Sequence, residues 1–422
     1  MNQIPTRLNG SSLDFVLERS FQECFCLLES FLELELSVVK LNKDGVEQRL
    51  DEDKDLVSFS PFIGNTLFRA ISATMNDTKI SWSMGANQHY EGIIAAIMHM
   101  TPAEQKNYLS GALLELSAPD THSYIAPRPD PVTKKVMNNA LSVRHTAAAF
   151  PKLPIVTPVP WPLFMCDRIF PTGIELKLSF ALNSPEMCLI APIPKEGEDP
   201  VPNYSIRIDV ARLYIQKYRL SPVAQARQEK ILASPDGARF PMICPNTTSF
   251  NLMPGATEVT RPLVYSGRKP STVYLFMVDR GAANGSIHKD PFNFQPFKLK
   301  EAYLEMDGAK LPDGLGYRPV FGKGRFKREW MLSRKQQNFL PRELCFDWSD
   351  MDSGGYCILP FSISPDKTWG CGTMSGEEGV ATLSLHLAFH DALADAITVF
   401  TLLEYPRILS LDAQRRPSWT ND

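Results

Sequence analysis

The sequence predicts an all-β chain of two β-sandwiches in tandem with a few short helices, and three observations carry that prediction. Apolar and polar residues alternate at period two in runs of strand length, bounded by Gly, Pro or Asn. No strand–helix–strand rhythm of a parallel sheet separates these runs. Proline is abundant, at 34 of 422 residues, which suits strand ends and long loops because proline is excluded from helix interiors and central strands.

In chain order, Leu32, Leu34, Leu36 and Val38 alternate with Glu33, Glu35 and Ser37, and Lys43-Asp44-Gly45 supplies a hairpin-type break. A helix is expected over Tyr90–Met100. Thr101-Pro102-Ala103-Glu104 then reads as an N-cap, a first-turn proline and a capping-box glutamate, starting a helix through about Ser110. A third helix is expected over Val132–Leu141. Ile174, Leu176, Leu178, Phe180 and Leu182 form a strand pattern, as do Ile206, Ile208 and Val210. Ser221-Pro222 caps a fourth helix through about Leu232.

That helix marks the expected boundary between two halves of similar size, because Ser234-Pro235-Asp236-Gly237 is a turn and strand sequence resumes after it. The expected division is an N-terminal arm at 1–28, a first sandwich at 29–220, a linker helix at 221–236, a second sandwich at 237–410 and a tail at 411–422. No short repeat links the halves, so any duplication is architectural. The jelly roll is the common form of such sandwiches. The second half holds Val273–Val278, Tyr303-Leu304-Glu305-Met306-Asp307-Gly308, and the alternation of Leu383, Leu385, Leu387 and Phe389. Asp290-Pro291-Phe292-Asn293-Phe294-Gln295-Pro296-Phe297 reads as an aromatic plug for a sheet, with Phe292, Phe294 and Phe297 expected to be buried.

Bulk properties exclude several classes. Lys+Arg 44 against Asp+Glu 47 gives a formal charge of −3, which argues against a surface that coats nucleic acid throughout. The eight cysteines are dispersed without Cys-x-x-Cys pairs and read as reduced thiols. The N-terminus has no secretory pattern, and no run approaches the roughly 20 apolar residues of a membrane span. Synthesis inside the cell and no membrane partner are the corresponding expectations.

Candidate chemistry is sparse. His386 and His390 are the best metal-ligand candidates, but on a strand they stand about 13 Å apart and cannot share an ion. Asp347, Asp350 and Asp352 precede Ser353-Gly354-Gly355 without calcium-loop spacing and read as a solvated loop ending in a glycine turn. Gly322-Lys323-Gly324 lacks the spacing of a phosphate loop. Arg318, Lys323, Arg325, Lys327, Arg328, Arg334 and Lys335 form the strongest basic cluster, interleaved with Phe321, Phe326 and Trp330. It is a nucleic-acid contact or a loop facing solvent or a neighbouring subunit. No nucleophile elbow or His-Glu-x-x-His helix occurs. No catalytic, cofactor-binding or metal residue is assigned, and no cofactor is expected.

Several of these segments, in order, resemble the major capsid proteins of Polinton/Maverick elements and adintoviruses. They are Phe31-Leu32-Glu33-Leu34-Glu35-Leu36 with Lys43-Asp44-Gly45; Tyr90-Glu91-Gly92 with Thr101-Pro102-Ala103-Glu104-Gln105-Lys106; Asp167-Arg168-Ile169-Phe170-Pro171-Thr172-Gly173-Ile174-Glu175-Leu176; and Leu213-Tyr214-Ile215 to Leu220-Ser221-Pro222. In the second half they are Met277-Val278-Asp279, Asp290-Pro291-Phe292-Asn293-Phe294 and Tyr303-Leu304-Glu305-Met306-Asp307-Gly308. Asp279-Arg280-Gly281 and Leu311-Pro312-Asp313-Gly314-Leu315 follow the pattern loosely.

The resemblance covers residues 30 to 405 and implies a double jelly roll without catalytic residues. It also implies a homotrimer of pseudo-hexagonal outline that tiles an icosahedral virion shell. Minor capsid proteins and genome contact through the basic loop are further implied partners. The competing readings are a minor or vertex capsid protein and a jelly-roll ligand-binding module or metal-dependent enzyme.

Overall fold

The computed structural model describes residues 2–4, 6–9, 11–41, 46–51, 55–80, 86–116, 139–193, 203–263, 269–321, 326–337, 343–363 and 383–420. The first half opens with β1 (Asn2–Ile4), β2 (Thr6–Asn9) and β3 (Ser12–Leu17), then the 19-residue β4 (Glu23–Leu41) and β5 (Glu47–Arg49). β6 (Ser58–Phe59), α1 (Ile63–Thr66), β7 (Phe68–Met75) and β8 (Thr78–Ile80) follow. A helical excursion comes next: α2 (Gln88–His99), α3 (Pro102–Glu104) and α4 (Asn139–Ala149). β9 (Leu153–Thr157), β10 (Leu176–Leu182), α5 (Pro185–Cys188), β11 (Leu189–Ile190) and β12 (Asn203–Arg219) complete the half.

α6 (Pro222–Leu232) joins the halves, its Ser221 cap accepting a hydrogen bond from the Ala224 N–H. Then come β13 (Ala238–Leu252), β14 (Glu258–Pro262), β15 (Thr272–Asp279), α7 (Arg280–Ala283), β16 (Leu299–Met306) and β17 (Ala309–Leu311). α8 (Lys327–Gln337), α9 (Trp348–Ser353), β18 (Ile358–Ser362), β19 (Leu383–Phe389), β20 (Ile397–Leu411) and β21 (Pro417–Thr420) end the chain.

The sheet orders reveal the duplication that the sequence conceals. In the second half one sheet runs β13-β20-β15-β18 and its partner β14-β19-β16-β17. Ranked along that half, with β13 as first and β20 as eighth, these orders are 1-8-3-6 and 2-7-4-5, the interleaving of a jelly roll. The first half repeats both orders, as β1-β12-β4-β9 and β3-β10-β7-β8, with β2 and β5 as additions. Even the hairpins at ranks four and five match. Asn76-Asp77 and Asp307-Gly308 are two-residue turns with positive φ throughout, a geometry that fits the twist of antiparallel strands.

Three expectations need correction. The segment before residue 29 is not an arm: Leu13, Phe15 and Leu17 alternate with Ser12, Asp14 and Val16, and β3 pairs with β10 so that all three are buried. The stretch 411–422 is not a tail either, because β21 pairs with β20 and Trp419 packs on the first core. The helix expected over Val132–Leu141 is Asn139–Ala149, sharing only its last three residues with the expected span; positions 132–138 lie outside the described residues.

The capping box at Thr101 and Glu104 forms as expected, and the helix continues through π and 3-10 turns to Ala112. β5 pairs back on β4, so a hairpin connects them, although Lys43-Asp44-Gly45 itself lies outside the described residues. Among the described residues no helix is long and apolar enough to cross a membrane. The seven cysteines described are free thiols, and Cys371 lies outside them.

Candidate functional site

The residues with candidate chemistry do not converge. His386 points from the outer face of β19, directly opposite Thr260 on β14 and Tyr303 on β16. Its Nδ1 is 2.9 Å from the Thr260 hydroxyl, its Nε2 is 3.3 Å from Glu305, and its ring stacks on Tyr303 at 4.5 Å. Lys310 Nζ lies 3.9 Å from the centre of the same tyrosine ring. This is a cross-strand ladder of polar and aromatic pairs, and it covers the one aromatic surface there that a sugar would need. His390 lies beyond the strand end, its N–H donating to the Lys298 carbonyl. Among the described residues no three His, Cys, Asp or Glu side chains gather as metal ligands.

The aspartates are a helix start rather than the expected solvated loop. The Asp347 carboxylate accepts from the Ser349 and Asp350 N–H groups, and Asp350 accepts in return from the Asp347 N–H at 2.8 Å. The Ser349 bonds hold the Asp347 carboxyl below the usual range. Asp at both ends of a capping box makes α9, and Gly354 closes it.

The basic cluster is largely consumed by the fold. Arg318 reaches Glu301 through two nitrogens at 3.0 and 2.9 Å, and Arg328 bonds Asp313 at 2.9 Å and Glu329 at 2.8 Å. Lys327 lies over Trp348 and Arg334 over Trp330. Lys323, Arg325 and the Gly322-Lys323-Gly324 loop lie outside the described residues.

What the fold does bring together is the contact between halves. α2 belongs to the first half of the sequence, yet Tyr90, Ile93, Ile94, Ile97 and Met98 are buried in the second core. The aromatic plug explains why. Phe292 and Phe294 are fully enclosed, and Phe294 meets Phe276 at 5.0 Å while Phe292 meets Tyr90 at 5.6 Å. Phe297 departs from expectation: it is only partly buried, on a turn with φ +46°. In exchange, Phe240, Met242, Cys244, Leu409 and Leu411 of β13 and β20 enter the first core, where Phe240 stacks on Phe170 at 4.5 Å.

Polar groups finish the junction. The Thr247 hydroxyl of β13 donates to Glu91 at 3.1 Å, and burial pushes that carboxyl up to about 7. His99 lies 2.8 Å from Glu404 of β20. Burial pushes the His89 imidazolium down to about 3. Arg144 of α4 is fully buried and donates to the Phe59 carbonyl at 2.8 Å; burial lowers its pKa and the Asp290 carboxylate opposes that. Sequence reasoning missed this junction because the Glu91 and His99 partners lie 156 and 305 residues away.

The outer face of the β4/β12 sheet is a second surface with a regular pattern. Glu29 accepts from the Tyr218 hydroxyl, and Glu33 meets Arg212 and Tyr214, whereas the Glu23 pairs with Lys217 and Arg219 lie at the end of the sandwich near Leu17 and Ile174. Lys152 reaches Glu35. The glutamates that alternate with leucines, Glu33 and Glu35, are therefore each paired with a cation, Arg212 and Lys152.

No protein-family model matches the chain. It superposes on a chain of the 3.5 Å cryo-EM structure of the Sputnik virophage with a TM-score of 0.61, covering 99% of this chain and 87% of that one at 11% identity. The fold is that of double jelly-roll capsid proteins. The Faustovirus major capsid protein gives a TM-score of 0.59 over 96% of this chain and 88% of its own, at 10% identity. The mavirus major capsid protein gives 0.57 over 99% and 89%, at 11% identity. In sequence, an uncharacterized Caenorhabditis elegans protein is 26% identical over 135 residues, 30% of this chain; the match spans 31% of that protein's length.

Proposed function

We propose that this chain is a structural protein, a major capsid protein whose copies assemble into the shell of an icosahedral virion, and that it is not an enzyme. The observation that supports this reading best is the pair of jelly rolls with identical strand interleaving, locked through exchanged cores and aligned over nearly the whole chain with the mavirus and Faustovirus major capsid proteins. A vertex role calls for one jelly roll rather than two, and the histidine ladder offers no open metal or sugar site.

In finer terms, three copies form a homotrimeric capsomer, in which six jelly rolls give a pseudo-hexagonal outline. The chain divides functionally at the linker helix, residues 221–236. Minor capsid proteins are further partners, and genome contact falls to whatever cations of the basic loop the fold leaves unpaired. The relationship to Polinton/Maverick and adintovirus shell proteins is part of the same proposal. A shell protein needs broad side surfaces rather than a pocket, and modest net charge lets copies crowd. Analytical ultracentrifugation of the purified chain tests the oligomer: a species of three chain masses is expected, and a strict monomer that binds sugar or metal would overturn the proposal.

A further inference from the structure

We propose that the outer face of the β4/β12 sheet, around Phe31 and Tyr214, is the seat of helix α8 from a second copy of the chain. The proposal rests on the self-assembly reading above and names the two surfaces that meet. Within one chain the first jelly roll already makes a contact of this kind with the second. α2 lies between the strands of ranks five and six, β8 and β9, and its apolar residues are buried against the β13-β20-β15-β18 sheet. There Phe276 of β15 stands directly opposite Phe400 of β20 and stacks on it at 5.2 Å, while Tyr90 of α2 lies 4.5 Å from Phe400. On the other side of that sheet Phe361 meets Tyr317, which is bonded to Ala302 of the facing sheet, so the α2 side is the outer one. The cover leaves Phe276 1% and Phe400 3% exposed.

The first jelly roll carries the same kind of pair on the strands of the same ranks. Phe31 of β4 stands opposite Tyr214 of β12 and stacks on it at 4.9 Å. The adjacent Leu32 and Leu213 point into the first core, which puts the pair on the outer face. Both rings stay partly exposed. Val156 of β9, opposite Glu33 on the same face, is 44% exposed, and Leu28 is 50% exposed. Aromatic rings left half open on a sheet face mark a surface for a partner.

The element of the second jelly roll that holds the place of α2 is α8, again between the strands of ranks five and six, β17 and β18. In its own chain it is tied to β18, where the Ser362 N–H donates to Gln336 at 3.0 Å. Its outward side presents Met331, 57% exposed, with Lys327 one turn before it. Methionine suits an aromatic pair because its sulfur is attracted to ring edges. Lys327 rests over the Trp348 ring and pairs with no acid among the described residues. Glu29, exposed two residues before Phe31, accepts from the Tyr218 hydroxyl and meets no cation among the described residues. The two surfaces are thus complementary in charge as well as in apolar contact. Three chains then close a ring in which each jelly roll gives a helix to the next, alternately within and between chains.

Cross-linking of the associated full chain with a carbodiimide, which joins carboxylates to amines, is the test, using a mixture of light and isotope-heavy copies. A cross-linked peptide joining β4 to α8 and pairing light with heavy chains is expected. Met331→Asp and Glu29→Lys are each expected to keep the subunit's melting temperature and to weaken association about tenfold or more by sedimentation, whereas Met331→Leu associates normally. If either variant fails to fold, the cross-links of the wild-type chain still decide. Association that tolerates both substitutions, with light-to-heavy cross-links only elsewhere, overturns the proposal and leaves the capsid reading standing. Weakening by Glu29→Lys with none from Met331→Asp overturns the choice of α8 as occupant. No association at any concentration overturns the capsid reading and this proposal together.

Discussion

Phe294 has no exposed surface and touches Phe276 and Tyr90, so it joins the second sandwich to the helix of the first half. Truncating a buried phenylalanine costs about 3–5 kcal/mol, and a carboxylate in its place adds several more. That sum rivals the roughly 5–15 kcal/mol that holds a domain together. Phe294→Asp should therefore yield no soluble folded protein by near-ultraviolet circular dichroism, while Phe294→Leu folds; a normal spectrum for the aspartate variant would refute the burial argument.

His89 and Glu91 set a pH dependence at the same junction. His89 falls from 6.5 to about 3 on folding, so below about pH 6.5 the unfolded chain takes up a proton first and stability drops as pH falls. Glu91 rises from 4.5 to about 7, so its protonated form favours the folded state and stability drops as pH rises through that window. Each slope approaches about 1.4 kcal/mol per pH unit, and the two oppose each other between roughly pH 4.5 and 6.5. Melting temperatures of Glu91→Gln should gain on the wild type from pH 5 to about 7 and level off above that. A constant offset would show that Glu91 does not carry the proton.

At the scale of elements, the sequence was legible where local chemistry decides. Ser221-Pro222 and the Thr101–Glu104 box start helices at the expected residues, and β19 runs Leu383–Phe389 with its apolar face buried. It was illegible where distant partners decide. β4 extends back to Glu23 because Cys24–Leu27 is a continuous buried run without alternation, paired to the far end of β12 across a bulge. α9 was hidden because clustered aspartates look like a loop until Asp347 and Asp350 are seen capping each other. The candidate site shows the same divide. The histidines could be rejected from spacing alone, but the junction of α2 with β13, β15 and β20 leaves no local mark beyond an apolar helix. That junction predicts one unfolding transition. Ile94→Ala, in a helix of the first half, should cost about 2–5 kcal/mol and lower the stability of both sandwiches together in a single denaturant transition. Two separated transitions, with only one shifted, would contradict the interlock.

For the whole molecule, the exchange of cores makes the two jelly rolls one body, with β13 and β20 completing the first and α2 completing the second. In the proposed assembly, three copies of a body with two jelly rolls of the same interleaving would give six similar corners. The cation pairs of Glu33 and Glu35 suit close approach of copies at the β4/β12 sheet, since few charges must be stripped of water without a partner. Electron microscopy of the purified, self-associated chain tests this account most directly. It predicts compact particles with three-fold symmetry and a six-cornered outline, packing edge to edge at high concentration; single two-lobed particles that never associate would contradict it.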